Sequence, residues 1–318
     1  MRRERGRAVP SHGGAKVLRR PFHLVLAFAA ALALAPSCGD ETLPRPAGPG
    51  PSRVVSLAPD LTEVLVALGA ADRIVGVTDF CKVSVPQAAG KSSVGGFLDP
   101  NVEKMIALAP DLVVGLKWHE DLLAKLRGAG LSTLELENEP LESALKSMRA
   151  LASAVGLEAE GDALVARIRE DLAALGRENE GTRRPRVLVV AGRNPGTLEE
   201  IYVAGGRSFM GELIELAGGE NVFEESPVLY PRVSKEEIVA RDPEVVLELF
   251  DVTGQIGPPD ASALREVWRA LPTLSAVKSG RVRVLDQDYI GHPGPHIPEI
   301  ARVLSAAIHA PGSGDDRR

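Results

Sequence analysis

The feature that most constrains this 318-residue chain is an internal repeat with an offset of 133 residues. Residues 101–114 read as a helix followed by a buried strand, and residues 234–247 repeat that pattern. The strand-like residues 53–56 and 186–189 open the two halves at the same offset. Because strands alternate with helices in each half, we predict an α/β protein with two similar lobes, each built on a mostly parallel central sheet.

Local signals agree with this interpretation at both copies of the repeat. Asn101 and Ser234 are favourable helix N-caps, and each repeated helix is followed by a proline, Pro110 or Pro243. Between the halves, apolar residues recur every three or four positions in residues 141–155 and 164–175, which predicts amphipathic helices. Residues 158–176 suit one helix about 28 Å long. We therefore divide the chain into an N-terminal lobe at 53–140, a helical connector at 141–183, a C-terminal lobe at 184–310 and a disordered tail at 311–318.

The N-terminus has the pattern of an export signal. Residues 1–37 carry seven basic groups and one acid, and residues 24–35 are an unbroken apolar run of 12. Twelve helical residues span about 18 Å, which is too short for a bilayer core of about 30 Å. Small residues precede Cys38, as in bacterial lipoprotein processing sites, so we predict lipidation at Cys38 and a Pro/Gly-rich tether over 38–52. A plain cleaved signal, which leaves a soluble periplasmic protein, is the alternative.

Charge excludes several classes of partner. The formal net charge of −6 combines a signal of +6 with an exported body of −12. An acidic body argues against nucleic acid and anionic lipid surfaces, so we expect membrane attachment through the lipid anchor alone. Aromatic residues are only 4% of the chain, which also disfavours base stacking. We expect a monomer.

Catalytic motifs are absent from the sequence. Neither phosphate-binding nor dinucleotide-binding glycine motifs occur, and neither does a G-x-S-x-G nucleophile elbow. His119-Glu120 begins an H-E-x-x-H pattern, but Leu123 occupies the second histidine position. We predict that the protein is not an enzyme and has no cofactor or resident metal. A cleft enzyme such as a chelatase, a bare metal-ion site built from His119, His292 and His296, and a structural envelope lipoprotein are the alternatives.

Ligands of α/β proteins bind beyond the carboxyl ends of the strands. Seven of the 12 aromatic residues fall in loops that follow predicted strands or lie close to them, with charged or imidazole groups among them. We predict that a ligand contacts the following residues: Phe80, Phe97, Trp118, Arg193, Tyr202, Tyr230, Tyr289 and His292. The seventh aromatic is Phe250. Trp268 lies in a helical pattern, and we expect it to pack in the core.

Six segments carry a resemblance to a known family: residues 53–59, 76–81, 101–113, 217–223, 230–236 and 240–243. They resemble the solute-binding proteins for cobalamin, haem and ferric siderophores, and the similarity extends from about Arg53 to Ala310. The resemblance implies two α/β lobes bridged by a long helix, a ligand held between them, and delivery to the permease dimer of an ABC importer. Phe80, Phe97 and Tyr230 match aromatic positions that hold the corrin in cobalamin-binding relatives. Glu103 and Glu236, which are related by the repeat, match the glutamates that dock on the permease.

Together these observations predict an exported solute-binding lipoprotein that captures a corrinoid and passes it to an ABC permease. Two aromatic positions of the cobalamin-binding relatives appear here as Leu116 and Ala191. The resemblance therefore leaves other metal chelates open, namely a ferric siderophore, with Arg193 facing an anionic group, or haem, with Tyr230, Tyr202 or a histidine on the iron.

Overall fold

Two separate sheets, connected by paired helices, make up the part of the chain that the structure describes, residues 50–249 and 261–312 of a computed structural model. These residues fall in one unit, Pro46–Arg318. The strands are β1 Val54–Ser56, β2 Ile74–Val77, β3 Ser92–Ser93, β4 Leu112–Leu116, β5 Thr133–Leu136, β6 Arg186–Gly192, β7 Ile201–Val203, β8 Glu220–Asn221, β9 Arg232–Val233, β10 Val245–Leu249 and β11 Val282–Leu285.

The helices are α1 Pro59–Ala67, α2 Asp79–Ser84, α3 Val102–Ala107, α4 Glu120–Gly128, α5 Leu141–Ala154, α6 Glu158–Glu178, α7 Phe209–Leu216, α8 Lys235–Arg241, α9 Ala261–Trp268, α10 Ser275–Lys278 and α11 Ile297–His309. The predicted long connector helix is α6, with 21 residues. It is preceded by α5, and the two helices pack against each other between the lobes.

The first sheet has strand order β3-β2-β1-β4-β5 and is parallel throughout. The second has order β11-β10-β6-β7-β9, with β8 beside β6. Strands β6, β8, β10 and β11 are parallel, whereas β7 and β9 run antiparallel to their neighbours. The predicted fold class, two α/β lobes with mostly parallel sheets, is therefore confirmed.

The 133-residue repeat is preserved in the backbone. Asn101 caps α3 by accepting a hydrogen bond from Lys104 N at 2.9 Å, and Ser234 caps α8 by accepting one from Glu237 N at 3.1 Å. Both helices end at a non-glycine residue with φ of +42°, Ala109 or Asp242. A left-handed residue at the same repeat position turns each chain into its central strand, so the two lobes present equivalent surfaces.

One continuous apolar core connects the lobes. It runs from Val54 in β1 and Leu65 in α1 through Met148 and Ile168 of the connector to Leu304 in α11. Trp268 is fully buried in a second cluster beneath the second sheet, as expected, and its Nε1 donates to Glu248 Oε2 at 2.9 Å. Because the connector helices are part of the core, they fix the lobes far more firmly than a loose linker would.

Within residues 50–249 and 261–312, no helix has the length and apolarity needed to cross a bilayer. The predicted signal, Cys38 and the tether up to residue 49 lie outside the described residues, as do Phe250 and residues 313–318 of the predicted tail.

Candidate ligand-binding cleft

A cavity of about 620 Å³ lies between the lobes, where several strands of both sheets end. The lobe-one wall comes from the segments that follow β4 and β5, and the lobe-two wall comes from the ends of β6 and β10, the start of α7 and the segment before β9. The lining residues are Lys117, Trp118, Glu137, Asn138, Glu139, Ala191, Phe209, Met210, Leu229, Tyr230, Leu249, Gly291 and Pro293. This volume is typical of pockets for drug-sized and cofactor-sized ligands.

Aromatic rings in edge-to-face contact continue from the cavity wall into lobe one. The Phe80 ring lies 5.7 Å from Phe97 and 5.6 Å from His292, and Phe97 lies 5.8 Å from Trp118. Trp118 is 62% exposed although it contacts Phe97, so its outer face is available to a planar ligand. The structure thus places four of the predicted ligand residues in one cluster, with Trp118 on the cavity itself.

Glu139, which lines the cavity, is hydrogen-bonded to two residues of lobe two. Its Oε1 accepts a hydrogen bond from Tyr230 Oη at 2.5 Å, and its Oε2 accepts one from Phe209 N at 2.6 Å. Burial raises the pKa of Glu139 to about 7, although both hydrogen bonds lower it, and the charges of Glu212 and Asp60 raise it further. Burial also raises the pKa of Tyr230 well above its usual value, with the Glu139 charge as the next cause. Tyr230 is therefore a neutral phenol, and its hydroxyl is the donor to Glu139.

A second polar cluster lies beneath the floor of the cavity, at the start of α1. Asn138 Nδ2 donates to Asp60 Oδ2 at 3.0 Å, and Glu63 Oε1 lies 3.4 Å from His292 Nδ1. Burial raises the pKa of Asp60 to about 6, while the His292 charge lowers it. His292 is 5% exposed, and its ring contacts Phe80 and Glu63. This places His292 behind the aromatic cluster and outside the cavity lining.

Three further residues predicted to contact a ligand, Arg193, Tyr202 and Tyr289, do not line this cavity. Arg193 lies immediately after β6, but its side chain is 3% exposed and its Nε lies 2.6 Å from Glu248 Oε1 within lobe two. Tyr202 is 42% exposed on β7 and does not line the cavity. Tyr289 stacks on His296 at 4.9 Å and lines a separate cavity beside α1 and α6.

Their placement has a common physical cause. The strand-end rule locates a residue on the correct edge of a sheet, but it does not determine the direction of a long side chain. Arg193 finds a buried carboxylate on the neighbouring strand β10, and a buried charge of this kind requires such a partner. Tyr202 alternates outward on its strand between the buried residues Ile201 and Val203.

Of the residues that line the cavity, the sequence reasoning named only Trp118 and Tyr230 as ligand contacts, and it missed Asn138 and Glu139 among others. Both residues follow β5, an edge strand that is only partly buried, whereas β4 is buried along its whole length. Their signal was available, because the strand-end rule applied to Leu136 leads directly to residues 137–139. Phe209 was missed because it begins a helix, where an aromatic residue is ordinarily assigned to the core.

The two glutamates predicted to meet a permease lie on equivalent exposed surfaces. Glu103 on α3 and Glu236 on α8 are both exposed, and neither side chain forms an ion pair with another described residue. Three residues further on, Ile106 and Val239 are also exposed, at 45% and 38%. The repeat therefore presents an acid and a β-branched apolar side chain on the same face of each helix.

Among the described residues there is no group of three or more histidine, cysteine or carboxylate side chains arranged to hold a metal ion. Cys81 is a free, buried thiol whose pKa is raised by burial. Its hydroxyl neighbour Thr78 lies 3.0 Å from the sulfur.

Fold and cleft together define a class: two α/β lobes joined by a helical connector, with a ligand cavity between the lobes. Residues 54–289 match the family described as "Periplasmic binding protein", and the chain belongs to that family. Its members are solute-binding proteins.

Curated relatives and solved structures agree with this assignment. A "Cobalamin-binding protein" of Halobacterium salinarum is 29% identical over 81% of this chain and 70% of its own length. An "Uncharacterized ABC transporter substrate-binding lipoprotein" of Bacillus subtilis is 27% identical over 81% of this chain and 80% of its own.

Two solved structures are similar to this protein over almost their full length. The periplasmic vitamin B12 binding protein of Vibrio cholerae has a TM-score of 0.67 and 26% identity, covering 81% of this chain and 96% of that one. A periplasmic haem-binding protein of Pseudomonas aeruginosa has a TM-score of 0.70 and 28% identity, covering 81% and 92%.

Proposed function

We propose that this protein is the extracytoplasmic binding lipoprotein of an ABC importer, and that it captures a corrinoid and delivers it to the permease. The observation that carries the proposal is the cavity between the lobes, which is lined by the exposed indole of Trp118 together with Leu229, Tyr230 and Leu249. A flat macrocycle with a polar edge suits such a site, because aromatic and aliphatic walls bind its faces while a few polar groups fix its orientation.

The polar groups of the cavity suit the amide side chains of a corrin. Asn138 supplies an amide, Glu137 and Glu139 supply carboxylate acceptors, and Lys117 supplies a donor. Uncharged amides hydrogen-bond to acceptors and donors alike without introducing a net charge into the site. Relatives named for cobalamin and vitamin B12 support the same ligand class.

Haem or a ferric siderophore is the second candidate, favoured by the similarity to haem-binding proteins. A tyrosine that ligates haem iron does so through its oxygen. Tyr230 Oη is already engaged with Glu139, and its raised pKa opposes the phenolate form. Tyr202 and Tyr289 lie outside the cavity, so the tyrosine route to haem loses its candidates among the described lining residues.

Delivery requires a docking surface and attachment to the envelope. Glu103 and Glu236 form a pair that a two-fold permease dimer would meet in the same way on each lobe, which supports their proposed role. Attachment through Cys38 is proposed from the processing-site pattern and is supported by the lipoprotein relative.

Titration of the purified, exported form tests the ligand. Cyanocobalamin, dicyanocobinamide, hemin and a ferric siderophore are each added while tryptophan fluorescence and the visible spectrum are followed. We expect micromolar or tighter binding of the two corrinoids and weaker binding of the other two. Failure of all four ligands to bind would overturn the proposal, and preference for hemin or the siderophore would replace the ligand class.

A further inference from the structure

The charged groups of the cavity do not cancel. Among its described lining residues, the charged side chains are Lys117, Glu137 and Glu139. Lys117 Nζ lies 2.8 Å from Glu137 Oε1, and both side chains are more than half exposed, so water screens this pair. Glu139 remains as the partly buried acid of the cavity, without a cation among the groups that chiefly influence its pKa.

Glu139 is held rigidly in place. The Tyr230 hydroxyl and the Phe209 N–H each occupy one of its oxygens, at 2.5 and 2.6 Å. Each carboxylate oxygen can accept more than one hydrogen bond, so Glu139, which lines the cavity, keeps acceptor capacity for a ligand. With both oxygens anchored to lobe two, the carboxylate cannot rotate away from an incoming ligand, and it meets that ligand where water is partly excluded.

The surrounding charges reinforce Glu139 instead of offsetting it. Glu212 on α7 and Asp60 on α1 are its nearest acidic influences. Arg193, the cation that the sequence offered to an anionic ligand, is paired with Glu248 inside lobe two.

We propose that Glu139 is a specificity-determining residue that rejects ligands with anionic groups and admits uncharged, amide-bearing ones. This inference rests on the proposed function of the same cavity. A ligand carboxylate placed against the anchored Glu139 carboxylate meets a like charge at low effective dielectric, which opposes binding. A ligand amide instead donates a hydrogen bond to it.

Binding of two corrins that share the same ring but differ in their side chains shows the effect of ligand charge apart from the effect of ligand shape. Dicyanocobinamide carries amides, whereas dicyanocobyrinic acid carries carboxylates at the corresponding positions. At pH 8.5, above the Glu139 pKa of about 7, this side chain is a carboxylate, and the wild-type protein should bind the amide form at least about thirtyfold more tightly. The Glu139→Gln variant keeps the size of the side chain and an acceptor oxygen. In this variant the ratio of the affinity for dicyanocobinamide to the affinity for dicyanocobyrinic acid should fall by about tenfold, a change of about 1.4 kcal/mol.

Glu120→Gln is the matched control. Glu120 is an exposed carboxylate at the start of α4, near Trp118 in the sequence but outside the cavity lining. The Glu120→Gln variant removes one negative charge from the same lobe, so its ratio of affinities for the two corrins should stay within about twofold of the wild-type ratio. Equal narrowing in both variants would show a general charge effect and would overturn the assignment to Glu139.

A second variant tests the same inference in case Glu139→Gln does not fold. Tyr230→Phe keeps the ring but removes the hydroxyl that lowers the pKa of Glu139, so more of the carboxyl is protonated and the ratio should again narrow. An unchanged ratio in a folded Glu139→Gln protein that binds dicyanocobinamide overturns this inference alone. If the wild-type protein binds neither corrin, the proposed function fails, and the inference fails with it.

Discussion

Glu139 and Glu212 cap each other's helices across the junction between the connector and lobe two. Glu139, just before α5, accepts from Phe209 N at the start of α7, and Glu212 on α7 accepts from Leu141 N at the start of α5, at 2.6 and 3.0 Å. Carboxylates at helix N-termini satisfy free N–H groups and favour the helix dipole. This reciprocal capping fixes the edge of the cavity that Glu139 and Tyr230 share.

Removal of one cap should destabilise the protein modestly. We expect Glu212→Ala to lower the free energy of unfolding by about 1 kcal/mol, because Leu141 N loses its partner at the start of a 14-residue helix. Urea denaturation followed by circular dichroism measures the change. Glu199→Ala, at an exposed carboxylate in the loop before β7, is the control and should leave the unfolding curve in place. Equal effects of the two substitutions would contradict the capping role.

Stability should depend on pH through Glu139. Its pKa of about 7 in the folded protein exceeds its usual value of 4.5, so the folded state binds more protons than the unfolded state between these values. The unfolding free energy should therefore fall as pH rises from about 5 to 8, and Asp60, with a pKa of about 6, adds to the slope. Glu139→Gln should remove about 2 kcal/mol of that fall. Denaturant titrations at pH 5 and pH 8 test this, and a wild-type slope retained by the variant would count against it.

Trp118 should report ligand binding and contribute to it. The chain has two tryptophans, of which Trp118 is 62% exposed at the cavity and Trp268 is fully buried beneath the second sheet. We expect Trp118→Ala to weaken corrinoid binding by about tenfold, because a stacked aromatic contact contributes about 1 kcal/mol beyond the buried area. Calorimetry measures the affinity. Fluorescence quenching that persists undiminished in the variant would show that the ligand lies elsewhere.

The permease contact should require both lobes. Replacement of Glu103 and Glu236 by alanine should weaken binding to the cognate ABC permease in lipid nanodiscs by at least about tenfold. Ligand affinity should stay unchanged, since neither residue lines the cavity. The control is the pair Glu120→Ala and Glu199→Ala, which removes one exposed charge from each lobe. A loss of ligand affinity in the Glu103/Glu236 variant would mean that the pair does not serve docking.

Substitution of Arg193 tests whether this residue has a structural role or contacts the ligand. Its side chain is buried against Glu248, which also accepts a hydrogen bond from Trp268. Arg193→Met should lower the unfolding free energy by about 3 kcal/mol, because it leaves Glu248 as an unpaired buried charge. The double variant Arg193→Met/Glu248→Gln should recover part of that loss. If the unfolding curve is unaltered and ligand binding is weaker, the sequence-based prediction that Arg193 contacts the ligand would be correct.

The sequence by itself determined the two lobes, their parallel strands and the helical connector. These depend on the 133-residue repeat, on helix caps such as Asn101 and Ser234, and on apolar periodicity, all of which are local along the chain. It also located Phe80, Phe97, Trp118 and Tyr230 near the cleft, because strand ends of a parallel sheet meet at one edge.

Only the tertiary structure decided which side chains form the cavity and what charge it carries. Arg193 and Glu139 show the reason. Each is a single charged residue beside a strand end, and its direction depends on partners distant in sequence, Glu248 for one and Tyr230 with Phe209 for the other. Burial then raised the pKa of Glu139 to about 7, because desolvation is a property of the packed protein and not of the residue.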